Sequence, residues 1–287
     1  MEVKMGKPII EEILSPQQGN RKRTLRIHLP TAYEKDLQRR FPVLYMHDGQ
    51  NMDNPSPYSG YSWDVSRLMT EWEAETGMGV IVVGIDTDEE NRVPEYTHAI
   101  DTRAEKEIRR LFRGELFVPN ALPYAQFLVD TLKPSIDARY RTLPTRENTG
   151  TFGSSCGGNI SLFLGAWRSD IFGIVGAFSP AYWIVREPLF ALFQSKTFDD
   201  LPKIYLDMGA KEDGAIRLRL LNDAKRMGKI LRDKGFDEEH LHSVIDPQGR
   251  HTELFWQSRF LDFVRFVFPQ YKHAIGKSFI SDLQERN

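Results

Sequence analysis

A serine between two glycines carries the residue pattern of a nucleophile. The segment Gly153-Ser154-Ser155-Cys156-Gly157 reads G-x-S-x-G, and only Ser155 has glycine at both required positions. In this pattern the serine lies on a sharp turn between a strand and a helix, and the glycines keep side chains out of the turn. Residues 149–153 are typical of a short strand, and residues 157–167 of an amphipathic helix. The sequence therefore predicts that the Ser155 hydroxyl attacks a carbonyl carbon.

The neighbouring Cys156 is the rival nucleophile, since thiolates are good nucleophiles. It lies one residue past the turn, where its side chain is expected to point into the core, and buried free cysteines are usually inert. The pattern gives this residue another task, because the backbone N–H after the nucleophile points toward the developing oxyanion. A phosphate-binding loop is a further alternative, but this turn lacks the Gly-Lys-Ser/Thr that such a loop requires.

A serine nucleophile needs a base. In enzymes with the G-x-S-x-G turn, the residues of the catalytic triad follow each other along the chain as Ser, then Asp or Glu, then His. His251 has the best context, because it lies between a predicted strand at 241–245 and a predicted helix at 253–266. A loop in that position can bring the imidazole beside the nucleophile. The histidines that follow Ser155 in the chain are His240, His242, His251 and His273. The first two lie on or beside the predicted strand, and the last lies in a polar tail.

The acid that orients the base is expected in the loop after the predicted strand 204–209. Glu212 and Asp213 both lie in that loop, and either one can hold His251 and stabilise its protonated form. Asp207 is a weaker candidate because it lies within the strand itself. A pair of acids in a loop is often just solvated surface, so the prediction depends on their position.

A second oxyanion donor is expected from the loop after the predicted strand 42–46. This loop reads His47-Asp48-Gly49-Gln50-Asn51, and Gly49 allows the backbone to turn there. In this kind of site the loop supplies one N–H, beside the N–H that follows the nucleophile. Gln50 is our candidate for that donor, together with Cys156.

Strands alternate with helices along the chain, which predicts a mostly parallel central sheet with helices on both faces. Continuous apolar runs indicate buried strands. A run of alternating polarity at residues 24–29 indicates an antiparallel strand near the N-terminus. Strands are predicted at 24–29, 42–46, 79–85, 149–153, 174–179, 204–209 and 241–245, and helices at 63–75, 123–140, 157–167, 216–234 and 253–266.

No linker divides the sequence, so residues 1–287 are predicted to form one domain. Two segments fit the alternation less well, namely 87–120, which includes a helix-like run at 103–117, and 183–200. Both follow strands on the side where α/β active sites form. They are candidates for a lid or a substrate wall, and equally for surface insertions or oligomer contacts.

The composition excludes several classes of partner. The chain of 287 residues has 40% hydrophobic residues, 38 Lys and Arg, and 40 Asp and Glu, without the basic excess of a nucleic-acid binder. No run of about 18 apolar residues predicts a membrane span. There is also no apolar stretch of a secretory signal, and a single cysteine fits a reducing compartment, so we expect a cytoplasmic location. No metal or organic cofactor is expected, and a homo-oligomer remains open.

Several blocks of sequence together resemble the putative esterase family of α/β-hydrolases, which includes enterochelin esterase, feruloyl esterases and esterase D. They extend over most of the chain, and they are PVLYMHDGQNM (42–52), VIVVGID (80–86), R-x-x-E-Y (92–96), LKPSIDARYRT (132–142), GSSCGGNISL (153–162), YLDMGAKED (205–213) and GRHTELFW (249–256). The resemblance implies the α/β-hydrolase fold, with Ser155 as nucleophile and His251 as base. It aligns the acid with Glu212, and Asp213 is the adjacent alternative.

Together these observations predict a serine carboxylesterase that acts on an ester with a small or aromatic acyl group. The candidate substrate-binding residues are Asp48, Trp63, Tyr182 and Trp183. An acyltransferase with the same triad is one alternative. A non-catalytic binding protein of the same fold is another, although such a protein would be expected to lose Ser155, His251 or the oxyanion loop.

Overall fold

A single eight-stranded sheet forms the centre of the molecule. The computed structural model describes residues 7–269 apart from residues 88, 112, 213 and 215. The strand order is β1-β2-β4-β3-β5-β6-β7-β8, antiparallel from β1 to β4 and parallel from β4 to β8. The strands are β1 (Ile9–Ser15), β2 (Arg21–His28), β3 (Val43–His47), β4 (Ile81–Ile85), β5 (Thr149–Ser154), β6 (Ile174–Phe178), β7 (Lys203–Gly209) and β8 (Leu241–Asp246).

Helices cover both faces of the sheet, so β3 to β7 are buried along most of their length. The core on one face includes α2 and α10, and the core on the other face includes α5, α7, α8 and α9. The helices are α1 (Ala32–Lys35), α2 (Val65–Thr76), α3 (Glu89–Glu95), α4 (Glu105–Leu111), α5 (Ala121–Phe127), α6 (Lys133–Arg139), α7 (Cys156–Trp167), α8 (Tyr182–Ser195), α9 (Arg217–Asp233) and α10 (Glu253–Val267). The predicted mostly parallel sheet between two helical layers is confirmed.

The predicted helix at 123–140 differs in detail from the observed one. This segment contains Pro134, and the structure has a π-helical turn, Leu128–Leu132, between α5 and α6. Proline has no N–H to donate and its ring crowds the preceding turn. A wider turn immediately before Pro134 accommodates both effects, so the helical path continues.

The two segments that fitted the alternation poorly contain helices. Segment 87–120 includes α3 and α4, and α4 is shorter than the predicted 103–117. It ends early because Arg113 and Gly114 adopt positive φ and the Gly114 N–H turns back to the Arg109 carbonyl. Segment 183–200 is mostly α8, which contains Pro188. A role of either segment as a lid stays a prediction, and so does the single-domain organisation.

Within the described ranges, no helix has the length and apolar character needed to cross a bilayer.

Candidate active site

The turn between β5 and α7 places Ser155 in a strained backbone conformation. Its φ of 58° and ψ of −121° lie in a region that residues other than glycine rarely adopt, at a cost of about 1–3 kcal/mol. The Ser155 N–H is held by the Phe178 carbonyl at 2.9 Å. A Cβ on Gly153 would lie 3.1 Å from the Gly157 backbone, closer than most Cβ contacts, so glycine at position 153 favours the close approach of the two residues in this turn. The surrounding backbone thus maintains this strained conformation, in which Ser155 projects from the end of the sheet.

His251 and Glu212 form a hydrogen-bonded pair beside Ser155. The imidazole Nδ1 contacts the Glu212 Oε2 atom. An ionised carboxylate can only accept, so Nδ1 carries the proton in this pair and Nε2 keeps its lone pair. Glu212 is 2% exposed, and its Oε1 atom accepts hydrogen bonds from Ser179 Oγ at 2.7 Å and from the Gly209 N–H at 3.2 Å. The carboxylate is therefore fixed on both oxygens.

The loops that carry Glu212 and His251 are bonded to each other. The Ala210 N–H donates to the Asp246 carbonyl at 2.8 Å, and the Lys211 N–H donates to the Gly249 carbonyl at 2.9 Å. A Cβ on Gly209 would lie 2.4 Å from the Gly249 oxygen, so this approach requires glycine. The two parallel strands β7 and β8 thereby deliver the acid and the base to the same point.

Asp207, the weaker candidate for the acid, has a different partner. Its carboxylate accepts from Arg259 Nε at 2.7 Å and from the Ser179 N–H at 2.9 Å. Arg259 also donates to Asp246 at 2.7 Å, so it ties the ends of β7 and β8 together. Burial raises the pKa of Asp207, although Arg259 opposes this effect. Asp207 therefore has a structural role beneath the site, as the partner of Arg259.

Two cavities meet at Ser155 and His251, which line both of them. The larger, of about 640 Å³, has a wall that mixes polar and apolar groups and is bounded by Gln50, Asn51, Pro57, Tyr58, Ser59, Thr87, Arg92, Thr252, Glu253 and Trp256. The smaller, of about 280 Å³, is mainly apolar and is bounded by Ala181, Trp183, Glu212, Ile216 and Leu220. A substrate whose reacting atom lies at Ser155 can therefore extend in two directions.

The two predicted oxyanion donors lie near Ser155. Cys156 is the first residue of α7, so its N–H has no acceptor within the helix and lies at the positive end of the helix dipole. Gln50 lies in a short 3-10 turn, Gly49–Asn51, directly after β3, and it lines the larger cavity. The Cys156 side chain is buried, and burial raises the pKa of its thiol, which disfavours the thiolate that a cysteine nucleophile would need.

Comparison with known proteins assigns the family. The family model described as "Putative esterase" matches residues 16–267. The chain belongs to the putative esterase family. Its sheet and helices have the α/β-hydrolase fold that solved esterases share. This protein is thus a hydrolase that acts on esters.

Individual relatives are distant in sequence. The uncharacterized protein YbbA of Bacillus subtilis (strain 168) is 22% identical over 260 residues, which are 90% of this chain and 96% of YbbA. The enterobactin esterase of Shigella flexneri superposes with a TM-score of 0.69 at 15% identity, over 93% of this chain and 61% of that enzyme. A ferulic acid esterase of Anaeromyces mucronatus gives 0.61 at 19% identity, over 92% of each chain.

The predicted pocket residues of this esterase divide into two groups. Trp183 lines the smaller cavity, and Asp48 lies beneath the larger one, paired with Arg92. Trp63 and Tyr182 are 1% and 0% exposed, and both lie in the core and outside the walls of the two cavities. Trp63 supports the larger cavity indirectly, because it stacks on the ring of Trp256, which lines that cavity.

Sequence reasoning missed several residues that shape the site. Arg92 belongs to the R-x-x-E-Y block, to which the sequence pattern assigns no function, and its side chain lines the larger cavity. Glu253 and Asn51 line the same cavity, and Trp256 Nε1 donates to Ser179 Oγ at 3.1 Å. The sequence signal for Glu253, Trp256 and Asn51 was their closeness to His251 and Gln50, and the signal for Arg92 was the R-x-x-E-Y block.

The remaining candidates lie elsewhere. His240 and His242 are at the start of β8, at the opposite end of the strand from the catalytic loops. Asp213 and His273 lie outside the described residues. Within the described residues, no cluster of three or more His, Cys, Asp or Glu side chains is arranged to hold a metal ion.

Proposed function

We propose that this esterase is a serine carboxylic-ester hydrolase with Ser155, His251 and Glu212 as its catalytic triad. One observation carries the proposal. His251 pairs with a buried Glu212, and His251 lines the same two cavities as Ser155. A buried carboxylate on Nδ1 fixes the imidazole tautomer whose Nε2 can take a proton, which is what a serine nucleophile requires.

The proposed reaction is a two-step acyl transfer. Nε2 of His251 takes the proton of the Ser155 hydroxyl as the oxygen attacks the ester carbonyl, and the N–H groups of Gln50 and Cys156 bind the oxyanion. His251 then gives this proton to the leaving alcohol, and the acyl group remains on Ser155. Water attacks the acyl-enzyme by the same sequence of proton transfers and releases the acid.

The two cavities suggest how the ester lies in the site. The smaller apolar cavity between Trp183 and Leu220 suits a compact or aromatic acyl group. The larger cavity carries the charged side chains of Arg92 and Glu253, and it suits a polar alcohol portion. An aromatic acyl group is part of the proposal because solved neighbours include a ferulic acid esterase and an enterobactin esterase whose structure holds 2,3-dihydroxy-N-benzoylglycine.

Replacement of the nucleophile tests the proposal. Ser155→Ala should lower kcat for p-nitrophenyl acetate and butyrate by at least about 10⁴-fold, because no acyl-enzyme can form. The substitution should also abolish labelling by a fluorophosphonate probe, while circular dichroism stays unchanged.

Ser195→Ala, at the exposed end of α8, is the control and should behave as the wild type. Full activity in Ser155→Ala would reject the nucleophile, and a wild type that takes no label would favour a binding protein. Product analysis with a competing alcohol separates hydrolysis from acyl transfer.

A further inference from the structure

Glu253 contributes a carboxylate to the wall of the larger cavity, two residues after His251. It is 6% exposed, and it accepts hydrogen bonds from the Ser59 hydroxyl and from Asn51 Nδ2, the latter at 3.4 Å. Both donors are neutral, and Glu253 forms no ion pair within the described residues. A carboxylate has roughly four acceptor positions, and its burial without a cation costs free energy. The cavity wall therefore carries a negative charge that lacks a countercharge.

The other charges at this cavity do not offset that of Glu253. Among the described lining residues, Arg92 is the second one with a permanent charge, and it donates to the Asp48 carboxylate twice, each time at 2.8 Å. Glu212 adds a further carboxylate, whose partner His251 is neutral while its Nε2 holds a lone pair. Carboxylates thus outnumber cations here, and the electrostatic potential that an entering substrate meets is negative.

Aromatic side chains lie on the same cavity wall. Tyr58 lines the cavity and is 79% exposed, and Trp256 lines it from the first turn of α10. The faces of aromatic rings attract cations, and rings of this kind bind quaternary ammonium groups. The wall therefore combines a carboxylate that lacks a countercharge with rings that favour a positive charge.

We propose that Glu253 is a specificity-determining residue that selects esters whose alcohol portion carries a positively charged amine or quaternary ammonium group. This inference rests on the proposed function, in which the alcohol portion lies in the larger cavity. His251 protonates the leaving alcohol, and Glu253 follows it on the same wall, so a cation on a short alcohol can reach the carboxylate. The cation supplies the countercharge that Glu253 lacks.

Glu253 also has a structural place that needs no substrate. It is the first residue of α10, where a carboxylate interacts favourably with the helix dipole. Its contact with Ser59 joins α10 to the loop at residues 56–61. These interactions affect stability and the shape of the cavity, but they do not distinguish a charged alcohol from a neutral one of equal size. The ratio of rates on two such esters therefore separates recognition from a structural role.

Acetylthiocholine and S-(3,3-dimethylbutyl) thioacetate form the matched pair of substrates. They share the acetyl group and the shape of the leaving group, and they differ by one positive charge. In the wild type, kcat/KM should be at least about 10-fold higher for the cationic thioester. Glu253→Gln keeps the size and one acceptor oxygen but removes the charge. It should reduce this ratio to about 2-fold or less, while kcat/KM for the neutral thioester changes less than about 3-fold. A chromogenic disulfide measures the thiol that is released.

Glu105→Gln is the matched control, because Glu105 is the first residue of α4 and lies outside both cavities. It loses the same charge at the start of a helix and should keep the wild-type ratio. Ser59→Ala removes the loop contact but leaves the charge of Glu253, and it should still prefer the cationic thioester. Should Glu253→Gln fold poorly, salt tests the wild type directly. Raising NaCl from about 20 mM to about 500 mM should lower kcat/KM for acetylthiocholine about 3-fold and leave the neutral thioester almost unchanged.

Each outcome supports or overturns the inference. Equal rates on the two thioesters in the wild type overturn it, and so does a ratio that Glu253→Gln leaves unchanged. A rate on acetylthiocholine that is independent of salt also overturns it, as does a wild type that hydrolyses p-nitrophenyl acetate but neither thioester. An equal loss on both thioesters in Glu253→Gln would leave Glu253 with a structural role only. A wild type that neither hydrolyses any of these esters nor reacts with a fluorophosphonate defeats the proposed function itself.

Discussion

At the scale of single residues, the site depends on how completely Glu212 is held. Its carboxylate contacts His251, the Ser179 hydroxyl and the Gly209 N–H, and Ser179 is in turn held by Trp256. A carboxylate with both oxygens occupied cannot rotate away from the imidazole when His251 becomes protonated. The same contacts explain why a buried acid is tolerated there, since its hydrogen bonds replace those of water.

The choice between the two acids in this loop is testable. Glu212→Gln should lower kcat by about 10³- to 10⁴-fold, because an amide can donate to Nδ1 and so favour the wrong tautomer of His251. Asp213→Asn should change kcat by less than about 3-fold. Steady-state rates on p-nitrophenyl butyrate and the thermal midpoint of each variant give the comparison. A larger loss in Asp213→Asn would transfer the role of the acid to that residue.

At the scale of elements, the sequence predicted those whose signals are local. Seven strands and the major helices were predicted within a few residues, because buried strands have continuous apolar runs and glycines such as Gly235, with φ 94°, lie just past the helix ends. The edge strand β1 was not assigned, since charged Glu11 and Glu12 obscure its alternation. The position of Arg92 on Asp48 could not be predicted, because it depends on how α3 folds back on β3.

Helices α8 and α9 together form the apolar cavity, which makes a prediction about chain length. Trp183 lies at the start of α8, opposite Leu220 near the start of α9. Trp183→Ala should open this space and raise the ratio of kcat/KM for hexanoyl over acetyl esters by about 10-fold. This estimate follows because each newly buried methylene contributes roughly 0.8 kcal/mol and part of the chain stays in water.

A p-nitrophenyl ester series from acetyl to octanoyl measures this ratio. Trp167→Ala, a half-buried tryptophan on α7 outside both cavities, is the matched control. It should lower stability without changing the preference for chain length. An unchanged ratio in Trp183→Ala would place the acyl group in the larger cavity instead.

At the scale of the whole molecule, two buried histidines link stability to pH. His28 and His47 are 3% and 1% exposed. Burial lowers the pKa of His28 from 6.5 to about 4, and that of His47 from 6.5 to about 3. The neutral His47 ring bridges Tyr124 at 2.8 Å and Thr151 at 2.9 Å, directly under the oxyanion loop. Both side chains therefore favour the folded state only while they remain uncharged.

The sign of the pH effect follows from proton binding. Between about pH 6.5 and pH 4 the unfolded chain binds protons at these positions and the folded chain does not, so the free energy of unfolding falls as the pH falls. From pH 7 to pH 5, His47 alone should contribute a loss of about 2 kcal/mol, taking roughly 1.4 kcal/mol for each pKa unit. Urea unfolding at the two pH values measures this loss.

His47→Gln, although less stable at pH 7, should lose less of its free energy of unfolding between pH 7 and pH 5 than the wild type. The exposed His242→Gln variant is the control and should follow the wild type. An equal loss in His47→Gln would show that the imidazole is not kept neutral by the fold, and that the support beneath the oxyanion loop does not depend on its charge.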